Sequence, residues 1–323
     1  MTQSARLGPA VFDLDLEAEA DRIAAGMRQA LGRDLNRRGF VVAISGGIDS
    51  SVSAALAVRA VGADRVFGLL LPERDSSPDS TARGSLLAEH LGIAHATEDI
   101  AGTLEAIGCY RRRDEVCAEL EPAYAAGWKH KIVIDGGLEG RYNQFQLVME
   151  APDGTRSSHR LDYRRFLRLV AAVNFKQRIR KTLEYYHADR LNYAVLGTPN
   201  RLEYDQGFFV KNGDGAADIK PIAHLYKTQV YALARALGLP DEICNAVPTT
   251  DTYSLAQGQD EFYFGLPYDQ MDLALWAHDH GRSAEELGQA LGISPAQAQA
   301  VFNDIEAKRK VARYLKLSPI VLD

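Results

Sequence analysis

One short segment of the chain combines two glycines, three serines and an aspartate, with the sequence ISGGIDSS over residues 44–51. Gly46 and Gly47 have no side chains, so a turn that contains them can bring backbone N–H groups close to a phosphate. The hydroxyls of Ser45, Ser50 and Ser51 would add hydrogen-bond donors to the same anion. We therefore predict that this turn binds phosphate groups.

Asp49, inside the same turn, carries the most informative side chain of the segment. A carboxylate beside a phosphate repels it unless a cation lies between them, and Mg²⁺ binds one or two carboxylates together with phosphate oxygens. The alternative is a plain helix cap, because Asp49 and Ser50 are both good N-cap residues. The turn differs from a Walker A loop, since no lysine precedes its final serine, and it lacks a G-x-G-x-x-G pattern.

The elements around this turn predict a parallel sheet. An apolar, strand-like run at residues 40–44 precedes the turn, and an alanine-rich helical stretch at 50–61 follows it. A helical pattern at residues 14–38 comes before the strand, and Gly39 is expected to cap that helix. Further strands are expected at 66–71, 93–96 and 193–197, and further helices at 80–91, 163–186 and 225–237. Such alternation favours an α/β fold, an open parallel sheet with helices on both faces.

Two other regions depart from the alternation. Residues 129–161 contain strand-like runs and an Asp153-Gly154 turn signal, which predicts a small β insertion within a domain at 1–275. Residues 276–323 are expected to form a helical C-terminal extension. Within it, residues 283–294 resemble a helix-turn-helix pair, which is typical either of DNA binding or of a compact helical hairpin. Few positive charges lie nearby, which favours the hairpin.

Bulk composition narrows the possible partners. The 323 residues carry 37 Lys and Arg against 43 Asp and Glu, a net charge of −6, so no nucleic-acid partner is expected. No apolar run approaches the ~18 residues of a membrane span, and the N-terminus lacks the pattern of a secretory signal. Cys109, Cys117 and Cys244 form no C-x-x-C pair, which argues against a disulfide framework or zinc site. These features predict a cytoplasmic protein.

The S-G-G-x-D-S turn resembles the pyrophosphate-binding loop of the ATP-pyrophosphatases, the adenine nucleotide α-hydrolase-like proteins that cleave ATP between its α and β phosphates. Later blocks of the chain are similar to NAD synthetases, a family within that group, and they occur in the order of that family. These blocks are NFKQRIR at 174–180, LGTPNRLE at 196–203, GFFVKNGDGAADIKPI at 207–222, HLYKTQV at 224–230, PT at 248–249 and QDE at 259–261.

The resemblance implies an enzyme that adenylates the carboxylate of nicotinic acid adenine dinucleotide and transfers ammonia to it. It implies ATP and Mg²⁺ as cofactors and a homodimer as the assembly. The implied catalytic residues are Asp49, Glu203 and Lys227, and the implied Mg²⁺ ligands are Asp49, Glu203 and Thr249. The implied ATP contacts are Ser45, Gly46, Gly47, Asp49, Ser50, Ser51, Arg178, Thr198, Lys227 and Thr249. The implied contacts to the dinucleotide are Lys211, Asp214 and Asp218, and either aspartate could instead serve a turn beside a glycine.

Several positions depart from the family pattern. Gln177 replaces an alanine, Lys181 replaces a methionine and Val210 replaces a threonine, while residues 250–257 and the long insertion also differ. These departures leave a second interpretation open, in which a diverged relative amidates a different carboxylate. The first 40 residues contain no cysteine that could serve a glutaminase. Ammonia is therefore expected to enter free or from a separate partner.

Overall fold

The computed structural model describes residues 7–135, 144–246, 253–255 and 265–322. Thr249, the predicted PT block and the predicted QDE block lie outside these residues. Strands occur in the chain order β1 Phe40–Ala43, β2 Val66–Leu70, β3 Ala94–Thr97, β4 Lys129–Asp135, β5 Gln144–Glu150, β6 Arg156–Arg160 and β7 Ala194–Val195.

The helices before the last sheet strand are α1 Leu16–Gln29, α2 Ile48–Val61, α3 Pro78–Leu91, α4 Ala101–Ala106, α5 Cys109–Leu120 and α6 Tyr163–Leu191. Those after it are α7 Arg201–Gln206, α8 Lys227–Ala236, α9 Asp241–Cys244, α10 Tyr268–Asp279, α11 Ala284–Leu291 and α12 Pro295–Lys316.

The central sheet is parallel, with the strand order β3-β2-β1-β7. Side chains of a strand point alternately to its two faces, and both faces of β1 are covered by helices. Phe40 and Val42 pack with α1, α2 and α8 in one core. Val41 packs with Leu104 of α4 and Tyr110 of α5 in a second core on the opposite face. The predicted fold class, an open parallel sheet with helices on both faces, is confirmed.

The prediction for Gly39 is wrong. Helix α1 continues as a short π-helical turn to Asp34, and Asn36, with φ 50°, takes the left-handed conformation after it. Gly39 is instead required for close packing, because a Cβ there would lie 2.2 Å from the backbone oxygen of Arg65. The chain therefore enters β1 against the neighbouring connection rather than directly from a helix cap.

The region from β4 to β6 forms a separate antiparallel sheet in the order β4-β5-β6. Ile132, Leu147 and Met149 of this sheet are fully buried and pack with Val116 of α5 and Leu169 of α6. The sheet therefore lies on the α5–α6 side of the molecule. The domain boundaries at 275 and 276 stay a prediction.

The C-terminal helices pack in a core that also includes Phe12 near the N-terminus and Leu202 of α7. Leu287 of α11 packs with Val301, Phe302 and Ile305 of α12 and with residues of α10. Capping boxes at Ser283 and Ser294 begin the two helices of the hairpin. No helix in the described ranges is long and apolar enough to cross a membrane.

Candidate active site

The turn after β1 is held by its own serine hydroxyls. The backbone N–H of Ser45 donates to Ser50 Oγ at 3.3 Å, and the hydroxyls of Ser50 and Ser51 donate to the Gly47 carbonyl at 3.0 and 2.8 Å. Helix α2 follows, with Gly47 in the N-cap position. The turn therefore presents a helix N-terminus at the carboxyl end of β1, where anions bind favourably.

Gly46 fits this turn for two reasons. Its φ of 75° is a conformation that side chains disfavour, and a Cβ there would lie 2.3 Å from the backbone oxygen of Ser80 in α3. Arg83, also in α3, donates from Nε to the Gly46 carbonyl at 3.1 Å. Helix α3 therefore packs directly on the turn, a contact that the sequence did not indicate.

Asp49 does not act as a helix cap, because Gly47 holds the N-cap position and no side chain makes a cap hydrogen bond there. Its carboxylate faces two side chains from distant parts of the chain. Asn200 Nδ2 donates to Asp49 Oδ1 at 3.1 Å, and Lys227 Nζ donates to Asp49 Oδ2. The cap interpretation of Asp49 is therefore wrong, and the carboxylate is the centre of an ionic cluster.

Glu203 lies in the same cluster. It forms a capping box with Asn200: Glu203 Oε2 accepts from the Asn200 N–H at 3.1 Å, and Asn200 Oδ1 accepts from the Glu203 N–H at 3.2 Å. Burial, together with the nearby charge of Asp49, raises the pKa of Glu203 to about 8. Glu203 therefore resists ionisation at this site.

Lys227 supplies the compensating positive charge. Its side chain is 2% exposed. Burial by itself disfavours the ammonium form, but the adjacent Asp49 and Glu203 outweigh this effect and raise the pKa of Lys227. The ammonium therefore stays charged, and it pairs with Asp49.

Asp272 was not predicted as a site residue, yet it fixes the position of Lys227. It lies on α10 and caps the start of α8, accepting from the N–H groups of Lys227 and Thr228 at 3.2 and 2.7 Å and from the Thr228 hydroxyl at 2.7 Å. Burial raises the pKa of Asp272 to about 6. No local motif could have revealed this residue, because it is 45 positions from Lys227 in the sequence.

Asp49, Glu203 and Lys227 line a cavity of about 760 Å³. The predicted residues that line it are Ser45, Gly46, Gly47, Asp49, Ser50, Arg178, Thr198, Glu203, Lys211, Asp214 and Lys227. Lining residues that were not predicted include Arg83, Lys176, Lys181 and Tyr231. The NFKQRIR block is the only signal that could have indicated Lys176, which lies on one helix with Arg178.

Two side chains of α6, those of Lys176 and Arg180, hold the connection after β2 in place. Lys176 Nζ donates to Glu73 Oε1 at 2.8 Å and to Asp75 Oδ2 at 2.7 Å, and all three side chains are buried. Arg180 Nε donates to the Leu71 carbonyl at 3.2 Å. The connection is thereby fixed to α6 at the edge of the cavity.

The remaining predicted residues are hydrogen-bonded to backbone groups or are buried. Asp214 Oδ1 accepts from the Val210 N–H at 2.7 Å within its turn, and Lys211 Nζ donates to the Tyr314 carbonyl at 3.1 Å. Ser51 is fully buried. Asp218 uses Oδ2 to accept from the Val195 N–H at 2.8 Å. Ser51 and Asp218 thus serve the fold, and their predicted ligand contacts stay predictions.

Comparison with known proteins identifies the family. The NAD synthase family model matches residues 20–120 and 146–312. An NH(3)-dependent NAD(+) synthetase of Rhizobium meliloti (strain 1021) is 60% identical over 307 residues, covering 95% of this chain and 92% of that relative. The enzyme of the same name from Thermotoga maritima is 39% identical over 295 residues, covering 90% and 94%.

Two solved structures share the fold. NMN synthetase from Francisella tularensis superposes with a TM-score of 0.67 at 22% identity, over 96% of this chain and all of that chain. NH3-dependent NAD synthetase from Campylobacter jejuni, in complex with the nitrate ion, superposes with a TM-score of 0.63 at 21% identity, again over 96% and all of that chain. Because the family model spans most of the sequence and the Rhizobium relative matches nearly end to end, the chain belongs to the NAD synthase family.

Proposed function

We propose that the chain converts nicotinic acid adenine dinucleotide, ATP and ammonia to NAD⁺, AMP and pyrophosphate. The observation that carries this proposal is the contact of Asp49, in the proposed phosphate-binding turn, with Lys227 and Asn200, since Asp49 and Lys227 both line the cavity. The family supports the substrates, since the 60% identical relative is named an NH(3)-dependent NAD(+) synthetase. Amidation of a different carboxylate is not favoured by these relatives.

The reaction joins two anions and then exchanges oxygen for nitrogen. A carboxylate oxygen of the nicotinate attacks the α-phosphorus of ATP, and the bond to the bridging oxygen breaks, so pyrophosphate leaves with the bonding pair. The turn at 45–50, with its backbone N–H groups and helix N-terminus, is suited to hold the pyrophosphate. Ammonia then attacks the acyl carbon, the acyl–oxygen bond breaks, AMP leaves with the bonding pair, and the nitrogen loses one proton to solvent to give the amide.

Lys227 provides a compact positive charge for the phosphates. In the structure its ammonium pairs with Asp49, so a bound triphosphate would compete with that carboxylate for the same cation. Thr198 lines the cavity directly after the β7 region, at the carboxyl edge of the sheet, where open parallel sheets bind ligands. Arg178 is exposed at the cavity wall and could meet the nucleotide from solvent.

Mg²⁺ fits the donor set of this site. The raised pKa of Glu203 reflects burial beside Asp49, and a divalent cation relieves such carboxylate repulsion. No group of three or more His, Cys, Asp and Glu residues suited to a metal occurs within the described ranges. Asp49 and Glu203 would hold the ion, and phosphate oxygens and water are the other ligands that Mg²⁺ usually takes in nucleotide sites. When bound, Mg²⁺ would offset the repulsion between the nicotinate carboxylate and the triphosphate.

Ammonia is the expected nitrogen donor. Cys109, Cys117 and Cys244 are buried, and burial raises the pKa of Cys109 to about 11 and that of Cys117 to about 12. Thiols held protonated in this way are poor nucleophiles, so they are unsuited to hydrolysing glutamine. The rate should therefore follow the concentration of neutral ammonia and rise with pH toward the ammonium pKa.

The assembly is proposed to be a homodimer in the cytoplasm. Helix α6 carries large apolar side chains that are exposed in the single chain, with Tyr163 at 77% and Leu167 at 46%. A second copy could cover them. Light scattering after size exclusion should give twice the mass of the chain. The cytoplasmic location stays a prediction.

The deciding experiment is a product analysis. Purified protein is incubated with ATP, Mg²⁺, ammonium and nicotinic acid adenine dinucleotide, and NAD⁺, AMP and pyrophosphate should form in equal amounts. Nicotinic acid mononucleotide and nicotinic acid serve as alternative carboxylates, and glutamine replaces ammonium in a parallel reaction. Formation of ADP and orthophosphate would contradict the cleavage site, and faster amidation of another carboxylate would contradict the substrate.

A further inference from the structure

The β insertion contains a stretch that the family model does not match. The two matched ranges end at residue 120 and resume at 146, so residues 121–145 lie between them. This stretch includes all of β4 and the first residues of β5. Phe145 of this stretch lines the active-site cavity, and His130 contacts Tyr253, which also lines it.

His130 joins the insertion to a distant segment of the chain, residues 253–255. The His130 N–H donates to Ser254 Oγ at 2.9 Å, Ser254 Oγ lies 3.0 Å from His130 Nδ1, and the Leu255 N–H donates to the His130 carbonyl at 3.0 Å. The histidine is completely buried. We call this set of three hydrogen bonds the His130–Ser254 clasp.

The proton arrangement of the clasp is self-consistent. Burial lowers the pKa of His130 well below its usual value, so the ring is neutral. Ser254 Oγ accepts from the backbone N–H of His130, which leaves its own proton free to donate to Nδ1. Replacing the serine with alanine would leave two buried polar groups of His130 without this partner.

The clasp holds Tyr253 in the wall of the cavity. Tyr253 is 4% exposed, lines the cavity, and meets the His130 ring edge to face at a centroid distance of 5.8 Å. Phe145 lines the same cavity and stacks on Phe166 of α6, with ring centroids 4.1 Å apart and planes inclined by 19°. Val170 of α6 completes an apolar wall with these three aromatic side chains.

We propose that the insertion builds an aromatic wall that binds a planar nitrogen heterocycle of one of the two nucleotide substrates. Phe145 and Tyr253 are the contact residues, while His130 and Ser254 are positioning residues. Aromatic faces stack on nucleobases, and they also attract the cationic ring of an N-ribosylated nicotinate. The proposal rests on the proposed function for the identity of these substrates.

The test uses the full-length protein and four variants at the wall. Phe145→Leu keeps apolar volume but removes the planar face, and Phe145→Ala removes both. Ser254→Ala breaks the clasp, whereas Ser254→Thr keeps a hydroxyl and should restore it. Phe145→Ala, Phe145→Leu and Ser254→Ala should raise the KM of one substrate about tenfold, the size expected for losing one stacked ring. The kcat and the KM of the other substrate should stay within twofold.

The matched control is Ser158→Ala in β6. Its hydroxyl also makes a hydrogen bond within the insertion, to Gln146 Oε1 at 2.5 Å, but it lies outside the clasp and is exposed. This variant should behave like the wild type. The substrate whose KM rises identifies the source of the ring, ATP or the dinucleotide.

Calorimetry, which measures the affinity for each substrate alone, tests the aromatic wall independently of the proposed NAD⁺-forming activity. If the wild type makes no NAD⁺, the proposed function fails, yet weaker binding of one nucleotide in the Phe145 variants would still support the wall. The wall is refuted if neither KM nor binding changes in the Phe145 variants, or if Ser254→Ala and Ser254→Thr lose activity and thermal stability to the same extent.

Discussion

Glu203→Gln should abolish a fall in the free energy of unfolding that the wild-type protein shows, without bound ligands, as pH rises. The pKa of Glu203 is raised to about 8 in the folded protein, against 4.5 for an ordinary glutamate. Between these two values the folded protein holds a proton that the unfolded chain has released. The free energy of unfolding therefore falls as pH rises from about 4.5 to about 8, and this contribution is constant above that range.

The size of the effect follows from the shift. At about 1.4 kcal/mol per pKa unit, the full shift corresponds to about 5 kcal/mol. Water entry and rearrangement around an ionised buried carboxylate lower both the shift and this energy, so we expect a difference between about 2 and 5 kcal/mol. Glutamine is neutral at every pH and can still accept the Asn200 N–H in the capping box. The variant should therefore match the wild type near pH 5 and exceed its stability by about 2–5 kcal/mol near pH 8.5.

The assay is urea unfolding of both proteins from pH 5 to 8.5, with chelator present and nucleotide absent. Asp272, whose pKa is about 6, also contributes to the pH dependence, but it is common to both proteins and cancels in their difference. Two parallel curves would refute the reasoning, since they would mean that Glu203 titrates normally. With substrates and Mg²⁺ present, the turnover of the same variant should fall about 10²–10³-fold. A variant that is more stable but less active would show that Glu203 is needed for catalysis and not for folding.

Three further perturbations test the site. Asp49→Asn should lower turnover by about 10²–10³ while the protein remains folded, and near-normal turnover would remove this carboxylate from the reaction. Gly46→Ala should destabilise the protein by about 1–3 kcal/mol, since its Cβ would lie 2.3 Å from the Ser80 oxygen. Gly47→Ala is the matched control for stability, because its Cβ comes no closer than 3.4 Å to another atom, and it should instead raise the KM for ATP. Asp272→Ala should lower the free energy of unfolding in urea by about 1–3 kcal/mol and raise the KM for ATP, because the start of α8 loses its capping carboxylate. An unchanged KM would show that Lys227 is positioned without Asp272.

The sequence by itself determined the chemistry of the turn and the class of fold. The two glycines and the serines of residues 45–51 act through backbone geometry and near neighbours, so their spacing alone predicts a phosphate-binding turn after a strand. Alternating strand and helix patterns likewise predict a parallel sheet, because parallel strands require crossovers. The ordered blocks after residue 174 indicated the family, and the family model confirms it.

The tertiary structure decided which side chains meet. Asp49 had two local interpretations, and only the packing of α2, α7 and α8 brings it to Lys227, 178 positions away. The cap of α8 by Asp272 and the clasp between His130 and Ser254 also join residues far apart in the sequence, 45 and 124 positions respectively. Asp218 matched a family block, yet its carboxylate bonds to the backbone of β7. Such pairings depend on how whole elements pack, and a linear pattern of residue types does not record the distances that packing creates.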